Sequence, residues 1–167
     1  MMIVREITPS DSEKFSRLVQ QVEGSADFML WEAGERSIQP EQQRKMIEDL
    51  LLKENSTILV AIDDQKNLVG YLMVFAGNAR RNRHSAYLVV GILKEHRGHG
   101  VGTQLFRCLD HWAVEHGIHR LELTVVTENK GGIGLYQKMG FEIEGIKRKS
   151  LIIDGEFYDE YYMGKLL

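Results

Sequence analysis

The chain has one cysteine, Cys108, so no internal disulfide and no cysteine-built zinc site can form. That suits a reducing cytoplasm. Basic charge is not in excess either: the formal net charge is −3, which argues against a nucleic-acid partner. Long apolar runs are missing. Runs such as Tyr87 to Leu93 are far too short to span a bilayer, and Met-Met-Ile-Val-Arg-Glu at the start meets charge too soon for a signal peptide. There is no repeat, linker or low-complexity tract, so the 167 residues read as a single domain, 1–167.

What is present alternates between strand and helix patterns. Strands are expected at 2–8, 56–63, 68–76, 85–93 and 119–126, with a closing pair at 141–153 and 156–165 joined by Asp154-Gly155, a strong hairpin signal. Helices are expected after Pro9 with Phe15, Leu18, Val19 and Val22 on one face, after Pro40, over Val101 to Trp112, and over 130–139. Two strand–helix–strand units in the second half predict a mixed sheet with helices on its faces.

Arg97-Gly98-His99-Gly100-Val101-Gly102 sits between a strand and a helix. The first N–H groups of a helix lack intrahelical partners, and glycines let an anion approach that backbone closely. A phosphate or pyrophosphate is the natural guest. The P-loop is excluded because Gly102-Thr103 lacks the lysine, and the dinucleotide fingerprint fails because Thr103 stands where its third glycine belongs.

Residues 97–102 resemble the Q/R-x-x-G-x-G/A signature of the GNAT N-acetyltransferase superfamily, and Asn129, Leu135-Tyr136 and Lys138-Met139-Gly140-Phe141 are similar to a second motif of that family. The resemblance covers residues 57–165 well and the first 55 by element order. It implies an α/β (α+β) fold with a mixed, mostly antiparallel sheet of about seven strands flanked by about four helices. It also implies acetyl-CoA as cosubstrate, wedged between the strands at 85–93 and 119–126, and no metal. The pyrophosphate would lie on residues 98–103, that is Gly98, His99, Gly100, Val101, Gly102 and Thr103, with Arg97 adding charge. The pantetheine arm would pair with backbone near Ile92 and Leu93. Asn129, Tyr136 and Lys138 would face the cofactor. Gly132 departs from the family's alanine, and Gly131 and Gly134 weaken that helix.

Acetyl transfer to an amine asks for a donor to the thioester carbonyl and a proton for the departing thiolate. The Ile92 N–H is the candidate donor, provided a strand distortion frees it from the ladder. Tyr136 is the candidate acid. The base stays open among Glu32, Glu35, Glu122, Glu128 and His84. Glu32 and Glu35 lead, because they lie in the irregular segment 23–39 where the family builds its acceptor pocket. Asp27, Phe28 and Trp31 belong to the same segment and suit an amine. His96 and His99 show no third metal ligand, Cys108 reads as core, and Arg80, Arg81 and Arg83 read as a solvated loop. The acceptor would be a small-molecule amine or a peptide N-terminus. Exposed edges in the C-terminal strands would suit a homodimer. The competing class is a CoA-binding module without catalysis, which would keep the glycine turn and dispense with Tyr136.

Overall fold

Seven segments become the strands of one sheet in the computed structural model, which describes residues 1–167. They are β1 (Ile3–Glu6), β2 (Thr57–Ile62), β3 (Leu68–Ala76), β4 (Ser85–Ile92), β5 (Arg120–Val126), β6 (Glu142–Ile153) and β7 (Glu156–Leu166). Four helices flank them: α1 (Ser12–Ser25), α2 (Pro40–Leu51), α3 (Val101–Glu115) and α4 (Lys130–Lys138). The spatial order is β1-β2-β3-β4-β5-β7-β6. Every pairing is antiparallel except β4 with β5.

Side chains alternate across a strand, so one apolar run can feed two cores. In β2, Ile58 and Val60 turn toward α1 and α2, where they meet Phe15, Leu18 and Ile47. Leu59 and Ala61 turn the other way and meet Leu105, Phe106 and Leu109 of α3. Both faces of the central sheet are thus covered, which is why β2 reads as continuously apolar. Each fully buried leucine or isoleucine contributes about 1.5–3 kcal/mol to this arrangement.

The β6–β7 hairpin turns at Asp154 and Gly155, both at positive φ (51° and 80°), as a two-residue turn requires. The parallel contact between β4 and β5 is short. Only Ser85, Ala86 and Tyr87 pair, with Arg120, Leu121 and Glu122; beyond them the strands part. No helix is long and apolar enough to cross a membrane.

Candidate active site

The parting of β4 and β5 leaves backbone groups without partners, and the register says which. The Leu93 N–H donates to the Val69 carbonyl at 3.0 Å, and at the other end of β4 the Ser85 carbonyl accepts from Gly77 N–H at 3.1 Å. In an antiparallel ladder the N–H and C=O of a residue point to the same side, and successive residues alternate. Odd-numbered residues from Ser85 to Leu93 therefore face β3. Leu88, Val90 and Ile92 face β5; the pairing of Tyr87 with Glu122 uses the Leu88 N–H, which leaves those of Val90 and Ile92 facing the gap. On the far wall, Leu167 N–H donates to the His119 carbonyl (2.9 Å) and Thr127 N–H to the Asp159 carbonyl (3.0 Å). That turns the odd residues of β5 toward β7 and leaves Thr124 and Val126 facing the gap.

This corrects two expectations. No bulge interrupts the β3–β4 ladder, so the Ile92 N–H needs no strand distortion to be free. Leu93 cannot share the role: its N–H serves Val69 and its carbonyl accepts from His96 N–H at 2.9 Å. The Ile92 carbonyl faces the gap as the parity requires, and accepts from Arg97 Nε at 3.3 Å.

The gap runs into the glycine turn. Gly98 and Gly100 hold φ of +75° and +83°, a region that residues with a Cβ rarely adopt. Gly100 starts α3, and no side chain caps that end, so the first-turn N–H groups are left open. Gly102 has another reason to be glycine. A Cβ there would meet a Leu135 methyl at 2.6 Å and Ile92 Cδ1 at 3.3 Å, so it lets α3 approach α4 and β4. Lys138 Nζ donates to Thr103 Oγ1 at 3.4 Å, which brings a second cation to the start of α3 beside Arg97. Val101 is buried, and His99 is exposed and stands outside the wall of the cleft.

Beyond β5, Asn129 caps α4, its Oδ1 accepting from the Gly132 N–H at 3.0 Å. A Cβ at residue 132 would meet the Asn129 amide nitrogen at 2.7 Å, so glycine at 132 suits this cap. The helix forms over nine residues despite its glycines. Tyr136 packs edge-on against Phe106 and Phe141, with ring centroids 5.8 and 6.2 Å away. Burial pushes its phenol up to about 12, with the neighbouring Tyr87 adding to the rise, so the hydroxyl holds its proton at neutral pH.

Tyr136 belongs to the α3 side of the sheet. The opposite side carries Tyr87, whose hydroxyl bonds Thr124 Oγ1 at 2.8 Å across the gap, and the segment after α1. Ala26 to Trp31 line the cleft, which has a volume of about 780 Å³. Phe28 packs edge-on against Tyr158 at 6.2 Å. Arg36 lies over the Trp31 ring, 4.9 Å from its centroid, and its Nη2 is 2.6 Å from a carboxylate oxygen of Glu23. Glu23 is only 5 % exposed, so this pair pins the segment to α1.

The carboxylates expected to lead do not reach the cleft. Glu32 and Glu35 are exposed, and Glu35 turns back to accept from the Glu32 N–H at 3.3 Å. They sit on the outer limb of the segment, past the point where Trp31 leaves the wall. Glu122 is engaged by Arg120 at 3.0 Å, Glu128 accepts from the Thr127 hydroxyl at 2.7 Å, and His84 is exposed. The carboxylates that do line the cleft are Asp27 and Glu160. Glu160 went unnoticed in the sequence, although Tyr158, Glu160 and Tyr162 alternate as one face of a strand would. Cys108 is half-buried beside the α3 core and outside the cleft, and burial pushes its thiol up. Arg80, Arg81 and Arg83 are exposed between β3 and β4, also outside it. His96 lines the cleft, and no three His, Cys, Asp or Glu residues cluster as metal ligands.

Comparison with known proteins fits this geometry. The model of the acetyltransferase (GNAT) family matches residues 25–141. The L-amino acid N-acetyltransferase AaaT of Escherichia coli is 33% identical over 104 residues, which span 60% of this chain and 62% of that protein. A GNAT-family acetyltransferase from Streptococcus pneumoniae superposes with a TM-score of 0.96 at 30% identity, covering the whole of both chains. A phosphinothricin acetyltransferase from Sinorhizobium meliloti, in complex with acetyl-CoA, shares the fold at a TM-score of 0.87 and 18% identity, over 99% of this chain and 88% of that one. With the matched model covering well over half of its length, the chain belongs to the acetyltransferase (GNAT) family.

Proposed function

We propose that the chain is an acetyl-CoA-dependent N-acetyltransferase that passes the acetyl group to a primary amine by direct attack in a ternary complex. The observation that carries this reading is the pair of free N–H groups at Val90 and Ile92, running into a turn whose Gly98 and Gly100 need positive φ. An extended amide-bearing arm ending in a pyrophosphate fits both parts: strand-like pairing along β4, then the α3 N-terminus with Arg97 and Lys138. Acetyl-CoA would supply the activated acyl group. Gly98, Gly100, Val101, Gly102 and Thr103 hold its phosphates, and Asn129 fixes the α4 end that presents Tyr136.

The Ile92 N–H, beside the phosphate cradle, pairs with the arm, and the Val90 N–H, farther from the phosphates, is the donor for the carbonyl oxygen, where developing charge is held. Tyr136 keeps its proton at neutral pH and gives it to the departing sulfur. Tyr136 and the acceptor wall lie on opposite faces of the sheet, so an amine entering past Phe28 and Tyr87 attacks through the gap while the sulfur leaves toward α4. Cys108 lies outside the cleft, which favours direct attack over an acyl-cysteine route. A small amine or a peptide N-terminus is the acceptor, and the name of the relative AaaT supports the former. A cytoplasmic setting suits the single cysteine, and the long β6 edge would suit pairing with a second copy.

Thiol release from acetyl-CoA against a panel of amines tests the activity, with thermal-shift titration of acetyl-CoA beside it. Turnover with intersecting initial-rate patterns is expected. Parallel patterns would overturn the ternary complex. Stabilisation with no turnover for any amine would reduce the chain to a binding module.

A further inference from the structure

The two halves of the cleft differ in charge. Arg97, Lys138 and His96 all stand at the glycine turn or the α4 end. The half walled by residues 26–31, Tyr87 and β7 holds two carboxylates, Asp27 and Glu160, and neither arginine nor lysine. The nearest cations stand outside its wall. The Arg36 guanidinium is held by buried Glu23. Lys147 stands opposite Glu160 in the β6–β7 register, is exposed and makes no ion pair with it. Lys149 lies over the Phe157 ring at 4.8 Å.

Glu160 is also held in place. The β6–β7 register breaks between Lys147 and Leu151, where Lys149 adopts φ +49° and its N–H donates to Asp159 Oδ1 at 2.7 Å. That irregularity brings the Ser150 hydroxyl onto the Glu160 carboxylate as a donor. Bulges of this kind re-aim side chains next to sites. Phe28, Trp31 and Tyr87 add aromatic surface on the same half, which favours a cation on an alkyl chain.

Resting on the acetyltransferase reading, we propose that the acceptor is a diamine or polyamine, whose second ammonium is held by Glu160 and Asp27, and that free α-amino acids are rejected. An amino acid would bring its own carboxylate into a half-cleft whose wall offers two of the same sign and no arginine or lysine, an arrangement that selects by repulsion as well as attraction. The relative AaaT is named for the opposite preference.

Calorimetric titration of the CoA-saturated protein tests this with two matched pairs, putrescine against butylamine and methioninamide against methionine. The diamine and the amide are each expected to bind at least about tenfold more tightly than their partners. Glu160→Gln should cut the putrescine preference to about threefold or less, with CoA affinity kept, and Asp27→Asn should lower it in the same direction. Equal affinities within the pairs, tighter binding of methionine than of its amide, absence of putrescine binding, or an unchanged preference in both variants would each overturn the assignment. Initial rates with the same four compounds separate the two readings. The binding preference without turnover would remove the transferase and leave the acceptor site; turnover favouring methionine would do the reverse.

Discussion

The Leu93 N–H is bonded to the Val69 carbonyl at 3.0 Å, and that bond turns Ile92, one residue back, toward the gap between β4 and β5. Two neighbouring amides of one strand are thereby given different work, one in the ladder and one in the site. Ile92→Pro would remove an N–H that makes no ladder bond. The fold should persist, and the KM for acetyl-CoA should rise by about tenfold, the cost of losing one hydrogen bond to the arm. Leu93→Pro should instead lower Tm, because it breaks a ladder bond. Circular dichroism melting and initial rates on both variants check the contrast. Unaltered kinetics in the Ile92 variant would remove its N–H from the binding of the arm.

Gly100→Ala should cost about 1–2 kcal/mol of stability through its positive φ alone, since no atom lies within 4 Å of the added Cβ. Gly100→Asp adds a carboxylate at the open α3 N-terminus and should abolish CoA binding as well. Thermal melts with and without CoA separate the two effects. Normal CoA affinity in the aspartate variant would sink the phosphate cradle.

Tyr136→Phe keeps the contacts with Phe106 and Phe141 and removes only the hydroxyl. The expected result is a fall in kcat of about 10²–10⁴ with KM for acetyl-CoA nearly kept, in the range general acids supply. The folded phenol stands above its unfolded value of 10.0. Its stabilising share is therefore whole below pH 10 and is lost as pH rises toward 12. Melts across that window should show a steeper decline in the wild type than in the phenylalanine variant.

Arg36→Ala leaves the Glu23 carboxylate buried without its partner, a loss of about 3–5 kcal/mol where no relaxation relieves it. It also frees Trp31, so the KM for the amine should rise while that for acetyl-CoA stays. A matched rise in both constants would mean that the segment does not serve the acceptor alone.

Much of this was readable in the chain. Asp154-Gly155 announced its hairpin, because Asp-Gly suits a two-residue turn in which both central φ are positive, as they are here. The glycine turn announced an anion site for a similar reason. The acceptor wall was less legible. Segment 23–39 has no periodicity, so nothing local tells Asp27, which lines the cleft, from Glu32, which does not. That distinction depends on Arg36 reaching Glu23 thirteen positions back. Glu160 was hidden for another reason: its place depends on which face of β7 meets β5, and on an irregularity around Lys149 that no glycine marks. The freedom of the Ile92 N–H was likewise set by register, which a single strand's sequence does not carry.

The alternating ladder of β4 also makes the protein its own reporter of ligand entry. Amides of Val89, Gly91 and Leu93 are locked into β3, whereas those of Val90 and Ile92 are closed off only by whatever fills the gap. Deuterium uptake along one strand should therefore be striped in the free protein, slow and fast by turns. Acetyl-CoA should erase the stripe by slowing the Val90 and Ile92 amides alone, giving a residue-by-residue readout of the bound arm that needs no label and no turnover.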